Sequence, residues 1–599
     1  MRLGEPFSRD AKALRSGALI AMFRVSNFQT GGSGVTVVPH DAPPLPPESG
    51  SVKPPASAPR TTLFAGLRIV SACTLASRVL GLLRDTAMAA LFGAGPILDA
   101  FTVAFQIPNL ARQLLGEGAL TAAFLPAFLR EQRRSGPEAA RQLTSATFVQ
   151  LGQLLTGIVI AGEVVIGTLM LSLDLHPDVA RLLQLLGLFA PYVILVCLTA
   201  LLCAALQSLN RFFWPAVLPV LLNLFWLGAV AIVPRVCHDP EQQIRWIAVS
   251  LLGAGLIQLG VPLLILHRAG YRWSATWRDS LPQVREVFHS MLPVVVGVTL
   301  SQLNALVDRV LAWGLSLPVW GEASHPAWWP VLESGTASAL YLGQRMYQFP
   351  LGVFGVALGT VLFPILTRHA EQGDMPGFRA DLTLGLRLSL AIGLPASAGL
   401  MLVAGPLSTA LFQHGRFDVH DAALTAGMVR AYGSAAWAFI LLLIANRGFY
   451  ALHDRQTPVQ IGKWAVVWNL VLSAILIYPL QGAGLAWGTS LATMAQAVWS
   501  MSRLARQSGG LDWPVARTSL LKTLVCCGGM VGAVLGLQLI HWPGDSFKIR
   551  LGILGAQCLA GGAAYLASAW LIGLDEPWML VRRQRPGVAT PGRSPDSLT

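Results

Sequence analysis

Charged side chains stand in this chain at places where an apolar solvent would penalise them. Arg78, Arg84 and Asp85 fall in one long apolar run, Asp99, Arg112 and Glu117 in the next, and Asp308, Arg309 and Arg345 in two later ones. Arg387 and Arg430 lie near the starts of two more. A charge at the centre of a bilayer costs at least ~2.5–3.5 kcal/mol, so such residues must face a protein interior or a water-filled cavity. If a helix enters the membrane near Arg68, Arg78 lies ~15 Å inside it at 1.5 Å per residue. Arginine suits phosphate: its planar fork donates two parallel hydrogen bonds and keeps its charge. The excess of arginines over nearby acids predicts a cationic cavity for a ligand bearing phosphate or pyrophosphate. For any one residue, an internal Arg–carboxylate pair that merely joins helices is the competing reading. Asp85 beside Arg84 and Asp308 beside Arg309 are open to local pairing of that kind.

The elements that position these residues are legible from composition. Of 599 residues, 54% are hydrophobic and only 12% charged, about half the charge a soluble surface needs. The apolar runs are continuous, not alternating, and near the ~20 residues that span a bilayer. Helices satisfy their own backbone groups there, so the expectation is an all-α integral membrane protein with about fourteen transmembrane helices. The net charge of +13 is not a nucleic-acid signal. It sits in short alternate loops, for example Arg130, Arg133, Arg134 and Arg141, then Arg268, Arg272 and Arg278, then Arg503, Arg506 and Arg517. That asymmetry places both termini in the cytoplasm.

An internal repeat is visible. Ala119, Pro126, Arg130 and Gln258 recur as Ala357, Pro364, Arg368 and Gln496, and Ala205, Leu206 and Asn223 as Ala451, Leu452 and Asn469. Repeated bundles around a midplane site are a common architecture of alternating-access transporters. The expected organisation is a disordered cytoplasmic extension over 1–62, an N-lobe over 63–275, a C-lobe over 276–507, two further helices over 508–576 and a disordered tail over 577–599. Arg78, Arg84 and Arg112 come from the first lobe and Arg345 from the second. Gly81, and Pro350, Gly352, Gly355, Gly359 and Pro364 in span eight, interrupt helices where bending or close packing is wanted. The seven cysteines form no CxxC, and no HExxH occurs, so no metal or cofactor is expected.

Several stretches carry a family resemblance. SRVLGLLRD (Ser77–Asp85), FGAG (Phe92–Gly95), DAF (Asp99–Phe101), PNLARQLLGEGALTAAFLP (Pro108–Pro126), QRMYQFPLGVFGVALGTVLFP (Gln344–Pro364), LFQHGRF (Leu411–Phe417) and FYALHDRQTP (Phe449–Pro458) closely resemble the MurJ/MviN family of lipid II flippases. The likeness covers roughly 66–505 in the same order and spacing. It implies the fold of the multidrug/oligosaccharidyl-lipid/polysaccharide exporter superfamily: two six-helix lobes in an inverted V, with two extra C-terminal helices forming a groove for a lipid tail. It implies movement of undecaprenyl-pyrophosphoryl-MurNAc-pentapeptide-GlcNAc from the inner to the outer leaflet of the bacterial cytoplasmic membrane. It also implies a monomer, with the cell-wall synthesis machinery as a candidate partner. The substrate-binding residues it implies are Ser77, Arg78, Arg84, Asp99, Arg112, Glu117 and Arg345. Many relatives carry an acid where Gln344 or Gln348 stands, so this cavity should be more cationic. The loop from Pro318 to Thr336, with Trp320, Trp328 and Trp329, is longer than usual.

Some relatives bind sodium in the second lobe, which makes Asp308 and Asp454 the candidates for a coupling Na+ or H+; each has an arginine beside it. Membrane potential is the other driving force, worth ~2.3 kcal/mol per charge per 100 mV. Four other readings compete; one, a purely structural scaffold, would not need buried cavity arginines. A drug antiporter of cations should have an acidic cavity, and another lipid-linked oligosaccharide would use the same cationic one. A membrane transferase or phosphatase would need paired acids or an Arg/His set in its loops.

Overall fold

The computed structural model describes residues 60–114, 120–274, 276–317, 331–540, 542, 544 and 546–581. Every regular element among them is helical. In order they are α1 (Arg60–Phe92), α2 (Pro96–Ala111), α3 (Leu120–Arg134), α4 (Gly136–Ser172), α5 (Pro177–Ser208), α6 (Phe213–Val236), α7 (Pro240–Arg268) and α8 (Leu281–Leu315). Then follow α9 (Thr336–Pro350), a π turn (Leu351–Gly355), α10 (Val356–Glu371), α11 (Met375–Phe412), α12 (Val419–Ser434) and α13 (Ala436–Ala451). The chain continues through α14 (Gln456–Leu480), α15 (Gly482–Gln507), α16 (Trp513–Gln538), α17 (Phe547–Ile572) and the short α18 (Glu576–Val581).

Local chemistry sets the ends. Proline opens α2, α5 and α7, where its missing N–H costs nothing. Asp239, Asp374, Asp418 and Asp512 accept backbone N–H bonds at the starts of α7, α11, α12 and α16, each satisfying an orphan donor. By length and composition nine helices among the described residues can cross a membrane, or ten if the α12–α13 pair, bent by 40°, counts as one. α1 and α8 fall outside that set; they carry the buried charges Arg84, Asp85, Asp308 and Arg309. Buried charge thus lowers the hydropathy of two helices that line the interior, whereas α6 and the α9–α10 span pass the same test.

Packing repeats across the chain. α5 packs on α2, α4 and α7, and α6 packs on α7. In the same order α12 packs on α9, α11 and α15, and α14 packs on α15. One core belongs to the first set (Phe124, Leu143, Leu201, Leu206) and one to the second (Leu366, Phe378, Ile444, Phe449). A third joins Phe101, Phe189 and Trp226 to Ala337 and Tyr432. α16 and α17 pack on each other and on α11, where the Tyr565 hydroxyl donates to the Ala391 carbonyl at 2.6 Å. α18 corrects one expectation. Residues 577–581, read from sequence as part of an unstructured tail, are helical, because Glu576 is buried in an ion pair with Arg387 (2.6 Å) and accepts from Ser519 (2.6 Å). That pair also removes Arg387 from the cavity set. The helix at Arg60 likewise starts inside the stretch read as disordered; residues 1–59, with the apolar piece 18–23, lie outside the described residues.

Candidate functional site

The geometry gathers on one carboxylate. Asp85 of α1 is 4% exposed and takes two guanidiniums. Arg84 reaches its Oδ1 at 2.7 Å, and Arg345, arriving from α9, lies 3.2 Å from its Oδ2. The Tyr341 hydroxyl donates to the same carboxylate at 2.9 Å and accepts from Arg345 at 2.9 Å and from Arg84 at 3.2 Å. Tyr341 and Arg345 stand four residues apart on a helix, hence on one face. The spare edge of Arg84 donates to Asn223 Oδ1 at 3.0 Å, and its plane lies 4.1 Å over the Trp226 ring. Asn223 in turn donates to the Ser77 carbonyl at 2.9 Å. α6 therefore fixes both Ser77 and Arg84, which lie on one face of α1. One carboxylate against two guanidiniums leaves the cluster cationic.

Further arginines extend it. Arg78 donates to the Gln348 carbonyl at 3.1 Å, and Arg345 donates to the Gln348 side chain at 3.3 Å. Arg309 is buried, donates to Gln106 and Gln344, and lies 5.1 Å from the Tyr341 ring centre. Its partners are amides on α2 and α9 and not the neighbouring Asp308, so the local pairing expected there does not form. Arg112 is half-buried near the end of α2 and donates to Asn109 at 3.0 Å. Glu117 lies outside the described residues. Arg430 is exposed on α12, away from this cluster.

Asp99 does different work. It is 1% exposed and accepts from the backbone N–H of Gly335 and of Ser338, both at 2.7 Å. The first turn of α9 has Gly335 at its N-cap and no side-chain cap of its own, so a residue of α2 supplies the cap from across the molecule. The same end is joined by Ala94 N–H to Asp421 (3.0 Å) and Arg416 N–H to the Ala90 carbonyl (2.8 Å). Gly335 must be glycine: its φ is +92°, and a Cβ there would collide with Ala94.

The two ion candidates separate. Asp308 is 1% exposed and accepts from Thr489, which also accepts from Asn469 at 2.8 Å. Asp308 Oδ1, Asn469 Oδ1 and the Ser473 hydroxyl are buried without a protein partner, an unusual concentration of oxygens. Asp454 caps α14 instead, accepting from Gln456 and Thr457 N–H at 3.0 and 2.9 Å and from Gln507 at 2.9 Å. Burial pushes its pKa up, but these hydrogen bonds outweigh that and hold it below the usual carboxylate range. Asn469 lies about 22 Å further along the same helix at 1.5 Å per residue. Asp308 and Asp454 therefore cannot share an ion.

Sequence reasoning missed Tyr341, Trp226, Gln106 and Thr489. Asn223 and Asn469 were visible as a repeated pair. The structure gives the pair matching places, each asparagine beside a buried charge of α1 or α8.

A bundle of helices long and apolar enough to cross a membrane, enclosing an excess of guanidiniums, defines an all-helical membrane protein with a cationic interior. The fold is similar to the inward-facing form of a multidrug resistance MATE family transporter of the MOP superfamily (TM-score 0.57, 12% identity, 72% of this chain and 94% of that one). It is similar also to a lipid II flippase MurJ in an inward closed conformation (TM-score 0.68, 21% identity, 86% and 99%). In sequence the chain is 31% identical to a probable lipid II flippase MurJ of Vibrio cholerae, over 84% of this chain and 95% of that one. Residues 88–549 match the lipid II flippase MurJ family, and the chain belongs to that family.

Proposed function

We propose that this chain carries lipid II, undecaprenyl-pyrophosphoryl-MurNAc-pentapeptide-GlcNAc, from the inner to the outer leaflet of the bacterial cytoplasmic membrane for peptidoglycan synthesis. The observation that carries the reading is the convergence of Arg84 and Arg345, from the two halves of the chain, on the single carboxylate of Asp85. A diphosphate brings the negative charge this cluster lacks, and guanidinium forks are shaped to receive it. Arg78 and Arg112 add donors; Ser77 lines the same face of α1.

Transport then follows alternating access. Two lobes, residues 63–275 and 276–507, rock about the site within fourteen crossings, both termini are cytoplasmic, and α16 and α17 receive the lipid tail. The backbone and Asp99 contacts near residues 90–99, 335–338 and 416–421 seal the outer end in this state. Asp308 with Asn469, Ser473 and Thr489 is the coupling site for Na+ or H+. MATE-type export of cationic drugs is the alternative, and the cationic interior argues against it.

Complementation tests the reading. The resident lipid II flippase of a bacterial host is depleted and this chain expressed, alone and as Arg78→Ala, Arg112→Ala and Arg345→Ala, at matched membrane levels. Rescue by the natural sequence and failure of the arginine variants is the expected result. Rescue by all three variants overturns the anion cavity; no rescue by well-expressed natural protein overturns the substrate.

A further inference from the structure

Span eight is a helix, a π turn and a second helix (α9, Leu351–Gly355, α10). π turns widen a helix and are frequent at functional sites. Here the turn receives a side chain from elsewhere. The Arg78 guanidinium of α1 lies directly over Gly352, where any Cβ would collide with its Cζ and both terminal nitrogens. From that notch Arg78 donates to the Gln348 carbonyl at 3.1 Å. Gln348 meets two arginines at once, Arg78 through its backbone and Arg345 through its side chain at 3.3 Å.

We propose that Gly352 is a positioning residue for Arg78, and that the notch makes Arg78 a ligand-released latch between α1 and span eight. The deduction rests on the proposed diphosphate substrate. A carbonyl oxygen is a neutral acceptor, and a phosphate oxygen is a charged one that binds a guanidinium more strongly. A diphosphate arriving at Arg84 and Arg345 therefore competes for Arg78 and draws it off the Gln348 carbonyl. α1 and the bend of span eight then come apart only when the site is loaded. An empty carrier stays latched along this seam, which is what a transporter needs to avoid moving without cargo. Glycine at 352 is what lets the guanidinium lie there; a larger side chain would push that flexible end aside.

Hydrogen–deuterium exchange on the full-length protein in detergent tests this, with undecaprenyl pyrophosphate as probe and undecaprenol as the uncharged control. In the natural protein the diphosphate should raise exchange severalfold over residues 346–356, and undecaprenol should not. Gly352→Ala should show the raised exchange without any ligand. It should bind the diphosphate as tightly as the natural protein or more tightly, since Arg78 is already displaced from the competing Gln348 carbonyl. Arg78→Ala should show the same raised exchange but bind roughly tenfold or more weakly, the loss of a charge-assisted hydrogen bond. The double variant should match Arg78→Ala, because the alanine acts only through the arginine. Simple damage to span eight would weaken binding in Gly352→Ala as well and would add to Arg78→Ala; either result overturns the latch. Diphosphate binding without any change over 346–356 overturns the latch alone. No diphosphate binding by the natural protein overturns both the latch and the substrate reading.

Discussion

At the residue scale the cluster is an electrostatic imbalance held in place by polar neighbours. Asp85 is shared, so its two arginines are not equivalent. Removing the carboxylate leaves the buried Arg84 and the partly buried Arg345 without their counter-charge; a broken buried pair costs ~3–5 kcal/mol, and the more exposed Arg345 contributes less of it. Asp85→Asn should therefore lower thermal stability in detergent markedly. Arg345→Ala leaves Arg84 on Asp85, so it should unfold nearer the natural temperature and still fail to transport. Equal melting temperatures for the two would refute the shared role. The Asp308 and Asp454 readings separate in the same way. Asp308→Asn should abolish any difference in melting temperature between sodium and potassium buffers, and Asp454→Asn should leave it intact. Asp454 has a second signature. Its folded pKa is depressed, so its stabilising share is complete above the ordinary carboxylate value of about 3.9 and is lost as pH falls through the lower folded value. Asp454→Asn should flatten the acid limb of the stability curve and lower stability near neutrality, where that share is complete, converging on the natural protein only at low pH.

At the element scale the informative features are helix ends and breaks. α9 begins with a glycine of positive φ and borrows its cap from Asp99 of α2. Loss of an N-cap costs ~0.5–2 kcal/mol, and here that energy also joins two halves of the molecule. Asp99→Ala should raise amide exchange at residues 335–339 by roughly a factor of 2 to 30, the range that this energy gives. Asp99→Asn, which keeps one acceptor oxygen, should fall between. Unchanged exchange in Asp99→Ala would mean the cap is redundant.

At the scale of the whole molecule the repeat matters most. Two sets of helices pack in the same internal order, and the third core joins them. If they rock about the site, the end closed by the Ala94–Asp421 contact (3.0 Å) must open during each cycle. Ala94→Cys with Asp421→Cys, bridged by a short bis-maleimide in cells, should stop complementation, while each single variant treated alike should retain it. Growth with a quantitatively bridged pair would show that this end does not open.

Hydropathy and charge already determine an α-helical membrane protein with charged residues in its interior, because lipid forbids unpaired backbone and penalises charge wherever protein or water does not shield it. The sparse repeat announced Asn223 and Asn469, and the excess of arginine announced a cationic interior. The partners that join distant helices were not legible, because they come from residues more than a hundred positions apart. No spacing rule links Asp85 to Arg345, or Asp99 to the N–H of Ser338. Adjacency held for Arg84 and Asp85, which pair, and failed for Asp308 and Arg309, which point to different neighbours: successive side chains on a helix diverge by about 100°, so packing decides whether they meet. Tertiary packing alone decided which charges cancel, which stay in excess, and which join the ends of distant helices.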